Sequence, residues 1–166
     1  EPADARYIAF RNGIYDVVTD TMQDFSPSIV ITNKIPWDYN PQAFNELTEQ
    51  TLNKLACDDP TIRALLEECI GYCFYRRSEL GKAFILTGEK NNGKSTFLDL
   101  VKAVVGEDNI SALDLKELGD RFTTSMMFGK LANIGDDIGD DLMQGTQVAM
   151  FKKIVTVNRI KAERKG

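Results

Sequence analysis

The sequence predicts an α/β chain: a small α+β segment over residues 1–78, then a domain of alternating strands and helices over residues 79–166. Three observations predict it. Short β-prone runs followed by two helical stripes fill the first part. A continuously apolar run, Ala83-Phe84-Ile85-Leu86-Thr87, leads into a glycine-rich turn and then an apolar helix. A second such run, Lys130-Leu131-Ala132-Asn133-Ile134, ends in acidic residues. Apolar runs without alternation are the mark of strands buried on both faces.

Taken in order, Tyr7-Ile8-Ala9-Phe10 and Ile14-Tyr15-Asp16-Val17-Val18 read as the arms of a hairpin. Arg11-Asn12-Gly13 lies between them, and Asn-Gly supplies the positive φ angles of a tight turn. Ser28-Ile29-Val30-Ile31-Thr32 is a third strand candidate. The loop Pro36 to Pro41 follows, with Trp37 as its packing anchor; base stacking is the alternative role. Phe44, Leu47, Leu52, Leu55 and Ala56 form a loose helical stripe. Ile62, Leu65, Leu66, Cys69, Ile70, Cys73 and Phe74 form a cleaner one. Asp59 suits its N-cap and Pro60 its first position. Arg76, Arg77 and Ser78 break the stripe, which sets a boundary near residue 78. Thr96 to Val105 reads as the helix after the glycine-rich turn, stopped by Gly106; beyond it, residues 110–115 are a further strand candidate and residues 146–156 a helix. Residues 159–165 alternate like one arm of a hairpin.

Bulk properties bound the function. A length of 166 residues suits one domain, or a small domain beside part of another. The chain opens Glu1-Pro2-Ala3 without a methionine, which predicts a piece of a longer protein. No apolar run is long enough to span a bilayer, and no signal peptide opens the chain. Three cysteines without a disulfide spacing point to a reducing compartment. Cys69 and Cys73, four apart on one helix, read as small core residues rather than metal ligands. Histidine is absent, so any hydrolysis must use carboxylates, lysines, metal or water. Charge is uneven. Residues 151–166 carry +5, and the rest −10, of a net −5.

The strongest chemical signal is Gly88-Glu89-Lys90-Asn91-Asn92-Gly93-Lys94-Ser95, continued by Thr96. Glycines at the two ends let the backbone wrap closely round an anion. Successive N–H groups then point at phosphates from the positive end of a helix. In this P-loop pattern Lys94 reaches the β- and γ-phosphates and the Ser95 hydroxyl binds Mg²⁺, so the cofactors expected are ATP and Mg²⁺. The competing reading is a solvated Gly/Asn turn. The second signal is Asp136-Asp137 at the end of its strand. There one carboxylate sits near Mg²⁺ and a second orients or deprotonates the attacking water. Asp140-Asp141 repeats the pair and leaves open a plain helix-capping loop. The third is the basic end. Lys152, Lys153, Arg159, Lys161, Arg164 and Lys165 either track a phosphate backbone or form a solvated charged face.

In this order, the three signals resemble the C-terminal region of phage and plasmid primase–helicases, superfamily III helicases of the AAA+ type. The resemblance covers nearly the whole chain. Phe10-Arg11-Asn12-Gly13-Ile14-Tyr15-Asp16 is similar to the hairpin opening the domain that precedes the helicase. Ile70-Gly71-Tyr72 resembles the helix leading into the ATPase. Gly88 to Thr96 resembles the Walker A loop with its "NNGKST" ending, and Leu131 to Asp137 the Walker B strand. Residues 151–156 and 161–165 resemble the third motif. The resemblance implies an ATP hydrolase in a ring, usually a hexamer, that unwinds DNA in the cytoplasm of a bacterial host. A primase domain or loading protein is an implied partner. It assigns Lys94, Asp136 and Asp137 to catalysis, Gly88 to Thr96 to nucleotide, and Ser95 and Asp136 to the metal. The basic residues go to DNA or to ATP on a neighbouring subunit. Val157-Asn158 stands where the family has Gly-Asp. The family's sensor strand and arginine finger are expected beyond Gly166. The expectation is therefore an incomplete P-loop NTPase, AAA+-like and three-layered, that binds nucleotide weakly and hydrolyses little alone. A P-loop kinase for a small molecule and an adaptor role for residues 1–78 are the alternatives.

Overall fold

A computed structural model gives the structure of residues 3–77, 80–117, 123, 125–135 and 145–155. The hairpin forms where the sequence places it. Strands β1 (Tyr7–Phe10) and β2 (Gly13–Asp16) pair antiparallel with Phe10 opposite Gly13, so Arg11-Asn12 is the turn. The reason for the glycine differs from the expectation. Asn12 keeps a negative φ, and Gly13 alone takes a positive one, +148°. A Cβ at Gly13 would also stand 2.6 Å from the Gln23 carbonyl oxygen. Asn12 works through its side chain. Its amide donates to the Tyr39 carbonyl (3.1 Å) and accepts from the Tyr39 N–H (2.9 Å), in the manner of a strand partner. The Arg11 N–H adds a bond to the Trp37 carbonyl, so the turn docks on the 37–39 loop. Tyr39 stacks on Tyr15 at 4.5 Å and tilts against Phe10 at 5.3 Å.

The third strand is not at residues 28–32. It is β3 (Thr21–Gln23), paired antiparallel with β2. Residues 26–29 instead close a local turn: the Ile29 N–H bonds to the Ser26 carbonyl, the Ser26 and Ser28 hydroxyls bond each other, and Pro27 has no N–H to give. Such local bonds compete with a ladder.

Helices α1 (Glu46–Leu55) and α2 (Pro60–Tyr72) start at side-chain caps. Asn45 accepts from the Thr48 N–H, and Asp59 from the N–H groups of Thr61 and Ile62, with Pro60 first in the helix as expected. Arg63 ties the pair together through the carboxylate and carbonyl of Glu49 and the amide of Asn53. The predicted stripes are buried only in part. Leu52, Leu55, Leu66, Cys69, Ile70 and Cys73 reach the core, while Phe44, Leu47, Ile62 and Leu65 face outward.

Helix α3 (Lys94–Val105) follows the glycine-rich turn, and a 3-10 turn (Glu107–Asn109) leads into β4 (Ile110–Ser111). Strand β5 (Ala132–Asn133) pairs with β4 in parallel, in the register Ile110–Ala132 and Ser111–Asn133. Both strands are shorter than predicted because Asn133 takes over the ladder. Its Oδ1 accepts from the Leu113 N–H (2.9 Å) and the Ser111 hydroxyl (2.8 Å), and its Nδ2 donates to the Leu113 carbonyl (2.9 Å). Helix α4 (Thr146–Val155) stands where a helix was expected.

The buried strand expected at residues 83–87 is not formed. Phe84 and Ile85 are 46% and 63% exposed, and only Leu86 joins the core. Phe84 meets Tyr72 edge-on at 5.7 Å. A strand buried on both faces needs neighbours for its N–H and C=O groups, and no described residue pairs with this segment. A three-layered sheet is therefore not seen; the described residues hold one sheet of three strands and one of two.

One buried cluster gathers Leu52 from α1, Phe97, Val101 and Val105 from α3, and Ile134 after β5, with α2 packed against it. It draws on residues from both sides of the expected boundary, and residues 78 and 79 lie outside the described ones. No described helix is long and apolar enough to cross a membrane.

Candidate functional site

The glycine-rich turn is set by backbone conformations that ordinary side chains resist. Gly88, Asn91 and Gly93 have φ of +152°, +63° and +88°. Asn92 folds across the loop, so its amide nitrogen lies 2.0 Å from where a Cβ on Gly88 would be. Lys94 turns its ammonium back into the loop. It donates to the carbonyls of Gly88 (2.8 Å) and Glu89 (2.7 Å) and to Asn92 Oδ1 (3.0 Å). Gly93 is the N-cap of α3, and no side chain caps that helix. The loop thus gathers a cation and the uncapped first turn of a twelve-residue helix at one place. Ser95 and Thr96 are exposed on that first turn.

Residues from the N-terminal segment fix both ends of α3. At its start, Leu55 Cδ2 stands 2.3 Å from the place of a Cβ on Gly93. At its end, Gly106 has φ of +89°, and Pro36 Cδ would lie 2.6 Å from a Cβ there. The indole N–H of Trp37 donates to the Ala103 carbonyl (2.8 Å), so the expected loop anchor fastens onto α3 while its ring stays half exposed. Asn109 Nδ2 bridges the carbonyls of Lys34 (2.8 Å) and Val105 (2.9 Å).

The remaining predicted residues are placed unevenly. Asp136 and Asp137 lie outside the described residues, as do Asp140 and Asp141. The described stretch before them ends at Gly135, just past the buried Ile134. Lys152 and Lys153 are exposed in the last turn of α4. Arg159, Lys161, Arg164 and Lys165 lie outside the described residues. Gly88 to Thr96 are thus brought together, while the acidic pairs and the basic residues from Arg159 onward are outside the described residues. Cys69, on α2, and Cys73, its C-cap, are half-buried against the core. Burial pushes both thiols up, that of Cys73 to about 11, which keeps it protonated at neutral pH. Among the described residues no three of His, Cys, Asp or Glu converge as a metal cluster.

Sequence reasoning missed the side chains that bridge backbone groups: Asn12, Asn109, Asn133 and Arg76. Arg76 donates to the carbonyls of Asp4 (2.6 Å) and Tyr7 (2.9 Å), joining the end of α2 to the start of β1. Burial lowers its pKa below the ordinary arginine value. Their one signal was a polar residue beside a buried apolar run, as with Asn133 between Ala132 and Ile134.

Two family comparisons match successive parts of the chain. Residues 86–166 match a family of unknown function (DUF5906), which includes all but the first residues of the loop's approach. Residues 1–71 match the family described as D5 N terminal like. No curated protein matches the chain. The D5 N terminal like family is associated with phage and plasmid primase–helicase proteins, and the match over residues 1–71 supports that relation for this chain.

Proposed function

We propose that this chain is the ATP-binding part of a replicative helicase of the phage or plasmid primase–helicase type, an ATP hydrolase that drives DNA unwinding. The observation that carries the reading is the loop itself: the Lys94 ammonium turned back onto the carbonyls of Gly88 and Glu89 and the amide oxygen of Asn92, at the uncapped start of α3. A triphosphate would take the Lys94 ammonium from those carbonyls and accept from the first-turn N–H groups. Mg²⁺, held by the Ser95 hydroxyl and Asp136, would neutralise charge on the transferred phosphoryl group. Asp137 would orient the attacking water. Lys152, Lys153, Arg159, Lys161, Arg164 and Lys165 are the proposed DNA contacts, and a homo-oligomeric ring is the proposed assembly. The D5 N terminal like match supports the replicative context.

The test is ATP hydrolysis with and without single-stranded DNA, in a protein containing these residues. The reading predicts that DNA raises the rate, and that replacing Lys152 and Lys153 by alanine weakens the stimulation and its salt dependence. A rate indifferent to DNA would point to a small-molecule kinase instead.

A further inference from the structure

The phosphate loop does not rest on its own domain alone. Gly93, the loop's second glycine and the N-cap of α3, packs against Leu55, the last residue of α1. Leu52, one turn earlier on α1, lies in the buried cluster with Phe97, one turn into α3. The end of α1 is itself held firmly. Ala56 is fully buried, and Cys57 and Asp58 take positive φ (52° and 58°) in the turn to the Asp59 cap. Such a turn has few other conformations open to it. The far end of α3 is held by Pro36 and Trp37.

We infer that Leu55 is a positioning residue for the phosphate loop, so that α1, in the segment preceding the ATPase, sets nucleotide affinity. The inference rests on the nucleotide reading above. Its physical basis is geometric. The first-turn N–H groups of α3 can serve a triphosphate only where the loop holds them, and Gly93 cannot move toward α1 without meeting Leu55. Removing the isobutyl group gives Gly93 room to shift. The loop then samples arrangements in which its amides no longer converge, and affinity falls by the fraction of time spent there. Packing within reach of this glycine allows α1 to tune the site without touching the ligand.

The experiment measures MgATP affinity of the full chain by calorimetry, for the unaltered protein and for Leu55→Ala, Leu55→Met, Leu52→Ala and Leu47→Ala. Amide hydrogen exchange over residues 88–95 is followed in parallel. Leu55→Ala is expected to weaken MgATP by about tenfold and speed loop exchange, and Leu55→Met to restore affinity to within about twofold. Leu52→Ala lowers the thermal midpoint more than Leu55→Ala does, yet leaves the affinity of the folded protein nearly unchanged. The exposed Leu47 is the control on the same helix, and its variant binds normally. If Leu55→Ala is too unstable to titrate, Leu55→Val provides the same comparison. Unchanged affinity and exchange in Leu55→Ala, with binding still abolished by Lys94→Ala, would overturn the positioning role and leave the nucleotide reading intact. Absence of MgATP binding by the unaltered chain would remove both.

Discussion

Asp16 closes β2 with its carboxylate buried against Arg6. The Arg6 Nε donates to Oδ1 at 2.8 Å, a second guanidinium nitrogen bonds Oδ2, and the Val18 N–H adds a bond at 3.0 Å. The hydrogen bond from Arg6 outweighs the opposing cost of burial and holds the Asp16 pKa down at about 2. An unfolded aspartate titrates near pH ~3.9. A carboxyl whose folded pKa is depressed stabilises the fold above the unfolded value, and that contribution is lost as pH falls through the window down to the folded value. Thermal melts followed by circular dichroism should therefore show two things. Asp16→Asn melts lower than the unaltered chain at neutral pH, and its further loss between about pH 4 and pH 2 is shallower. The exposed Arg11–Asp38 pair, also bidentate at 2.8 Å, should matter much less, since solvent screens it. Asp16 was legible only as a strand residue. Its partner, ten positions back, became visible when the hairpin register put the two side by side.

At the scale of elements, what was legible was what short-range chemistry decides. The Asp59-Pro60 start of α2, the hairpin turn before Gly13, and the Gly106 end of α3 depend on a few adjacent residues, and each stands where the sequence put it. What failed depended on distant partners. Ala83 to Thr87 has a strand's composition, but composition supplies no neighbour, and the segment stays outside both sheets. Residues 28–32 lost to a Ser-Pro-Ser turn, while the short Thr21–Gln23 strand had no apolar run to announce it. Gly106 carries a long-range burden as well. It holds positive φ and lies under Pro36. Gly106→Ala should destabilise the chain by about 1–3 kcal/mol in denaturant unfolding. It should also shift the fluorescence of Trp37, the chain's one tryptophan, whose indole bonds α3 three residues earlier. An unmoved emission maximum would show that the two ends of this contact are independent.

For the molecule as a whole, the shared cluster is the governing fact. Leu52 lies before residue 78, and Phe97, Val101, Val105 and Ile134 lie after it, yet they bury one another. Neither the periodicity of α1 nor that of α3 could reveal this, because each stripe states only that a face is buried and not against what. Leu52→Ala should cost about 2–5 kcal/mol, as for other buried leucines. Its denaturant curve should keep a single transition whether read by Trp37 emission or by helix content. Two separated transitions would mean that the segments hold separate cores. The candidate site follows the same division. Its loop, Gly88 to Thr96, can be picked out residue by residue in the sequence, because the phosphate cradle proposed for it has a fixed local spacing. Its seat on Leu55 cannot, because that contact joins residues 38 positions apart in sequence. The central claim is that this seated loop binds a nucleoside triphosphate. It is tested most directly by calorimetric titration of MgATP into the unaltered chain and into Lys94→Ala. Saturable, weak binding to the first and none to the second is the expected result; no heat from the unaltered chain, or equal affinity in the two, would contradict it.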